Sequence, residues 1–294
     1  MAQSPNPSAT KTIAVVGAGT MGGGIAQELV RHGFAVLLRD VSREVLDRAA
    51  ERISRGLAHE VEKGRLKDSD RQQALARLRI TIDWTELGRA DFAIETVTEK
   101  FDMKALALQT LERQCRPEAI FASNTSSISI TRLAATTNRP KQVVGMHFFN
   151  PVPVMKLVEV ISGLETSPAT LQAAEALARS LGKTTVRAND FPGFVSNRVL
   201  MPMINEAIFA LMEGVAEARG IDEVVKLGMN HPMGPLELAD FIGLDVCLDI
   251  MKILYEGFRD SKYRPCPLLE KMVAAGRLGR KSGQGFYEYP TGKL

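Results

Sequence analysis

The stretch KTIAVVGAGTMGGGIAQELVRHGFAVLLRD, residues 11 to 40, constrains the fold more than any other part of the chain. An apolar, β-branched run ends at Gly17, and from there the residues follow the period of a helix that closes at Gly33. Strand, glycine turn, helix and strand together predict a parallel βαβ unit. Gly17, Gly19 and Gly22 have the spacing G-x-G-x-x-G, which suits a tight turn, close backbone approach to a pyrophosphate, and packing of helix on strand. The helix N-terminus adds N–H groups and a partial positive charge. Gly17, Gly19, Thr20, Met21 and Gly22 therefore form a candidate dinucleotide cradle, against the simpler reading of glycines that only make a turn. Gly23 and Gly24 each cost about 1 kcal/mol relative to alanine inside a helix, so packing or ligand approach must compensate. Asp40 stands 18 residues after Gly22 at the end of the next strand, where it can accept from a ribose 2′-hydroxyl and repel a 2′-phosphate. That favours NAD. Arg39 should point away along its strand, whereas Arg43 lies close enough to keep NADP open.

Short apolar runs continue to alternate with amphipathic stretches up to about Arg187: LRITI, FAIE, AIFAS, VVGMH, KLVEVI and TTVRA read as further strands. Between the second and third strands, the charged segment from Arg43 to Arg77 is broken at Gly64 and reads as a projecting helical hairpin. After DFPGF (Asp190 to Phe194) the period is helical throughout. The expected organisation is a disordered tail over 1–10, a Rossmann-type NAD-binding domain over 11–190, and a smaller all-α substrate and dimerisation domain over 191–294. A chain of 294 residues with 45% hydrophobic residues can fill both cores. The run GFVSNRVLMPMINEAIFALMEG is apolar on most sides, which fits a dimer interface or the central helix of a small domain equally well. Pro202 should kink it.

Several classes are disfavoured. No apolar run approaches the roughly 20 residues that span a bilayer, and the first ten residues lack a secretory or transit pattern, so a cytoplasmic protein is expected. A net charge of +3 does not argue for nucleic acid. Cys115, Cys247 and Cys266 lack CxxC spacing, so neither a metal site nor a disulfide framework is expected. The charge is concentrated, however. Between Arg52 and Arg79, eight Lys or Arg face four Asp or Glu, which suits either an anionic ligand or a solvated helix face.

His147 ends an apolar run and, taken alone, fits a packed imidazole or a general base. Glu159, twelve residues on, is in phase with Leu157 and Ile161. A carboxylate on an aliphatic face needs a partner, and His147 can supply it; a carboxylate on Nδ1 would leave Nε2 to take a proton. The turn after AIFAS carries Ser123, Asn124, Thr125, Ser126 and Ser127, past the C-terminal end of a strand, where open α/β sheets bind ligands. Ser127 or Ser129 could instead cap the next helix. Asn197 interrupts an apolar helix stripe and also wants a partner.

With these residues in place the chain resembles the L-3-hydroxyacyl-CoA dehydrogenases, most closely their single-function bacterial members acting on 3-hydroxybutyryl-CoA. The resemblance covers Lys11 to Tyr289 and rests on VVGAGTMGGGIA, SNTSSISIT, GMHFFNPVPVMKLVEVI, DFPGFVSNR, HPMGPLELADFIGLD and GRKSGQGFY. It implies NAD-dependent oxidation of a 3-hydroxyacyl-CoA to the 3-keto thioester, or the reverse. By resemblance His147 is the base, Glu159 orients it, Ser126 touches substrate and nicotinamide, and Asn197 completes the set. It also implies cofactor contacts at Glu99, Lys104 and Lys281, a coenzyme A contact at Lys63, and a homodimer through the helical domain. Where some members have a serine, this chain has Gly56. The rival readings are a dehydrogenase of a free hydroxy acid or sugar acid, a non-catalytic dinucleotide-binding scaffold, and a piece of a multifunctional fatty-acid oxidation enzyme.

Overall fold

The computed structural model describes residues 12–290, so the expected N-terminal tail lies outside the described residues. The chain divides into two compact units that part between Phe191 and Pro192. The first is built on an eight-stranded sheet in the order β3-β2-β1-β4-β5-β6-β7-β8. Its strands are β1 (Thr12–Val16), β2 (Ala35–Arg39), β3 (Leu78–Thr81), β4 (Phe92–Glu95), β5 (Ile120–Ser123), β6 (Val143–Phe148), β7 (Leu157–Ser162) and β8 (Thr184–Asn189). Central strands such as β4, β5 and β6 are buried at every position, which is why they read as continuous apolar runs rather than alternating ones. The edge strand β8 is largely exposed and carries Arg187, which pairs with Glu175.

The helices of this unit are α1 (Thr20–Arg31), α2 (Arg43–Glu62), α3 (Asp68–Ala76), α4 (Phe101–Gln114), α5 (Ile130–Ala134) and α6 (Pro168–Ser180). On α2 the stripe Leu46, Ala49, Ile53 and Leu57 is buried, each large aliphatic side chain contributing about 1.5–3 kcal/mol. The charged opposite face explains why the segment looked so polar. α2 and α3 form the expected hairpin, turning at Gly64 with φ +69°. One feature departs from a simple βα alternation. β7 follows β6 without a helix and pairs with it antiparallel, and β8 then runs parallel to β7.

The second unit is all-helical apart from short bridges near its end: α7 (Ser196–Met212), α8 (Ala218–Glu223), α9 (Pro235–Ile242), α10 (Leu244–Phe258) and α11 (Pro267–Ala274). Its core gathers Met201, Ile204, Ile208, Leu236, Leu244, Met251, Leu254 and Leu269. Asp240 ties the C-terminal segment to α9, accepting from the backbone N–H groups of Phe286 and Tyr287 at 3.0 Å. Helix α7 buries one stripe, but Val199 on it is 67% exposed.

Candidate active site

The strand order reverses between β1 and β4, and in such sheets ligands bind beyond the carboxyl ends of the strands at that point. The glycine turn sits there. Gly17 adopts φ +101°, and a Cβ on it would stand 2.8 Å from the carbonyl oxygen of Thr96. A Cβ on Gly22 would stand 1.8 Å from the carbonyl oxygen of Gly17, so the helix can approach its own turn only with glycine. Around Gly19, by contrast, nothing lies within 4 Å of an added Cβ. The residues present thus fit a dinucleotide: a compact turn, an exposed glycine and a helix start facing open space. Gly24 is explained by packing, since a Cβ there would lie 3.0 Å from that of Val152.

Asp40 is engaged in the turn itself. Its carboxylate accepts from the backbone N–H groups of Ala18 and Val41, both at 2.7 Å. From the other side the Arg52 guanidinium donates to the Ala18 carbonyl at 3.0 Å, a clamp that sequence reasoning missed because it joins the turn to the middle of α2. Both arginines near Asp40 have partners of their own: Arg39 lies over the Trp84 ring at 4.0 Å and Arg43 pairs with Asp47 at 3.0 Å.

His147 and Glu159 stand directly opposite each other in the antiparallel register of β6 and β7, so their side chains share one face. His147 Nδ1 is 2.7 Å from Glu159 Oε2, and both residues are buried. The Phe149 ring lies 4.7 Å from the imidazole. Asn124, in the polar turn after β5, accepts from the Phe148 N–H at 2.9 Å and so ties that turn to the end of β6.

The same turn is held by Glu99. One of its oxygens accepts from the Ser126 N–H at 2.9 Å, the Ser126 hydroxyl at 3.3 Å, the Thr125 hydroxyl at 2.5 Å, and the Ser127 hydroxyl at 3.1 Å. Burial by itself would raise the Glu99 carboxyl, but the Lys104 charge and the Thr125 and Ser126 hydrogen bonds together hold it below the ordinary range. Lys104 is 1% exposed. Its ammonium reaches Glu95 at 3.0 Å, the Val97 carbonyl at 3.1 Å and Glu99 at 3.2 Å. Glu95 is fully buried at the end of β4, opposite Ser123 in register, and accepts the Ser123 hydroxyl at 2.7 Å and the Val97 N–H at 2.6 Å. Sequence reading did not single out Glu95, although a carboxylate closing an apolar buried strand was the available signal. The cap of α5 is Ser129, not Ser127, and Asp190 reinforces it by accepting the Ser129 hydroxyl and the Thr131 N–H at 2.7 Å.

The remaining candidates are dispersed. Lys63 is exposed at the C-terminal end of α2. At Gly56 a Cβ would stand 2.3 Å from the Gln27 carboxamide oxygen, so α1 occupies the space a serine would take. Asn197 and Lys281 belong to the second unit; Asn197 is buried on α7, and Lys281 pairs with Asp245 at 2.5 Å.

Comparison with known proteins shows the family. Residues 12–191 match the NAD binding domain of 3-hydroxyacyl-CoA dehydrogenase, and residues 193–289 match its C-terminal domain. A probable 3-hydroxybutyryl-CoA dehydrogenase of Bacillus subtilis (strain 168) is 56% identical over 279 residues, covering 95% of this chain and 97% of the relative. A 3-hydroxybutyryl-CoA dehydrogenase of Bradyrhizobium diazoefficiens is 50% identical, covering 96% and 97%. The crystal structure of (S)-3-hydroxybutyryl-CoA dehydrogenase from Ralstonia eutropha superposes with a TM-score of 0.95 at 48% identity, over 96% of this chain and 100% of that one. Family models that together span nearly the whole chain, and a cradle shaped for a dinucleotide, lead to one conclusion: the chain belongs to the 3-hydroxyacyl-CoA dehydrogenase family and is an NAD-dependent oxidoreductase.

Proposed function

We propose that the protein interconverts (S)-3-hydroxybutyryl-CoA and acetoacetyl-CoA, with His147 as the proton carrier. The observation that carries this reading is the buried 2.7 Å contact between His147 Nδ1 and Glu159. A carboxylate at Nδ1 fixes the tautomer, directs proton exchange to Nε2, and stabilises the imidazolium formed when the ring takes the 3-hydroxyl proton. In the reverse direction the protonated ring is the acid. Ser126 offers a hydroxyl to the substrate oxygen. The turn from Gly17 to Gly22 holds the cofactor diphosphate, Asp40 its adenosine ribose, and Glu99 the nicotinamide side, with Lys104 acting on the cofactor through its ion pair with Glu99. Bound there, NAD supplies the hydride acceptor for C3. Lys63 and the basic face of the hairpin attract the phosphates of coenzyme A.

The first unit is read as the cofactor domain and the second as the substrate and dimerisation domain. A homodimer is supported by exposed apolar side chains on the second unit, among them Val199, Leu227 and Met229; light scattering on the eluted protein should give twice the chain mass. Among the described residues no helix is long and apolar enough to cross a membrane. Placement in the cytoplasm is supported by the likeness to bacterial metabolic dehydrogenases such as that of Bacillus subtilis.

The deciding assay follows NADH oxidation with acetoacetyl-CoA, longer 3-ketoacyl-CoA esters, and free acetoacetate, each repeated with NADPH. Turnover is expected with the short CoA ester and NADH. Faster turnover of free acetoacetate would support the hydroxy-acid reading instead, and NADH binding without turnover on any ester would support a scaffold.

A further inference from the structure

The buried ions at the end of β4 invite a question that the proton-transfer chemistry does not answer. Glu95 and Lys104 are 0% and 1% exposed, at positions where a neutral pair would pack with less desolvation cost. Glu95 accepts from Lys104, the Ser123 hydroxyl and the Val97 N–H, a donor set suited to an ionised carboxylate. Lys104 has its three donors directed to Glu95, Glu99 and the Val97 carbonyl. Two carboxylates around one ammonium leave a single negative charge, and one of them, Glu99, accepts from the backbone N–H of Ser126 in the polar turn.

Asp40, at the end of β2, marks the adenosine side of the cradle. The strand order then runs from β1 across the switch point to β4 and β5, so a dinucleotide laid across the sheet brings its nicotinamide half toward the ends of β4 and β5. The oxidised ring is cationic and the reduced ring is neutral. We propose that the Glu95–Lys104–Glu99 cluster sets which redox form of the cofactor the protein prefers, its net negative charge favouring the cationic oxidised nicotinamide. Glu95 and Lys104 are in this account positioning residues whose charge is felt through Glu99 and the serine turn. The inference rests on the cofactor reading above.

The test is equilibrium binding of NAD+ and of NADH by titration calorimetry, read as the ratio of their dissociation constants. A unit charge acting over roughly 10 Å at an effective dielectric of about 20–40 changes an ion's binding by about 4- to 17-fold. Glu95→Gln is therefore expected to weaken NAD+ relative to NADH by about that factor. The double variant Glu95→Gln, Lys104→Met restores the net charge and is expected to restore the ratio. Ser123→Ala disturbs the cluster without changing its charge and should move both constants together. Should Glu95→Gln lack a cooperative melt, Glu99→Gln makes the same charge change at a residue whose side chain is 38% exposed, and the same shift is expected. Equal weakening of both forms in the charge-changing variants, or an unmoved ratio, overturns the proposal. Failure of the unaltered protein to bind either form would instead overturn the cofactor reading.

Discussion

At the scale of single residues, the proposed role of His147 rests on its pairing with Glu159. His147→Gln and Glu159→Gln are each expected to lower kcat by about 10²–10⁴-fold, while NADH binding, measured by fluorescence titration, stays nearly unchanged. Parallel losses of affinity and turnover would remove both residues from the proton path. His147 and Glu159 were legible in the sequence as partners, Glu159 in phase with Leu157 and Ile161 and His147 ending the preceding strand. Their opposition was not, because an antiparallel register is set by how β7 turns back on β6, and a slip of one residue would put Glu159 on the other face. Glu95 illustrates the other failure. A carboxylate ending an apolar strand looks like a residue that has reached solvent, and only the approach of Lys104 from α4 and Ser123 from β5 turns it into a buried acceptor.

At the scale of elements, close approach decides what the glycines do. Gly22→Ala places a methyl group against the Gly17 carbonyl, and the turn must open to admit it. Such overpacking is expected to cost about 1–3 kcal/mol and to weaken NADH binding more than tenfold, both readable from melts with and without the cofactor. Gly56→Ser is different, because the atom it meets is the far end of Gln27, which can rotate. A smaller loss of Tm is expected, with a changed KM for the acyl-CoA and an unchanged Kd for NADH. The glycine turn and the hairpin of α2 and α3 were legible because their signals are local: spacing, period and a break at Gly64. The clamp from Arg52 to Ala18 joins residues 34 apart in sequence, and no local pattern announces it.

At the scale of the whole molecule, the two units should respond differently to acid. In the first, the Arg65 hydrogen bond holds Glu60 below its usual range, the Arg187 hydrogen bond does the same for Glu175, and Glu99 is lowered by Lys104 and the serine turn against its burial. A carboxylate with a depressed folded-state pKa contributes stability above its unfolded value of about 4.5, lost as pH falls through the depressed value. Glu95, raised by burial, has the opposite sign, but it stands against three. In the second unit, burial raises Asp240 while Lys281, against the burial of the carboxyl, lowers Asp245, so the two oppose. Calorimetry from about pH 5 to about pH 3 should therefore show the transition of the first unit falling further than that of the second; equal shifts would contradict this. The surface pairs among these are screened, so added salt should reduce the difference. The sequence by itself determined the βαβ start, the cofactor class, the helical second half and the residue types of the site, because period, glycine spacing and strand-end chemistry are local properties of a chain. Tertiary structure alone decided the register that joins His147 to Glu159 and the burial that makes Glu95 and Lys104 a charged cluster, because both depend on which distant strands and helices come to lie side by side.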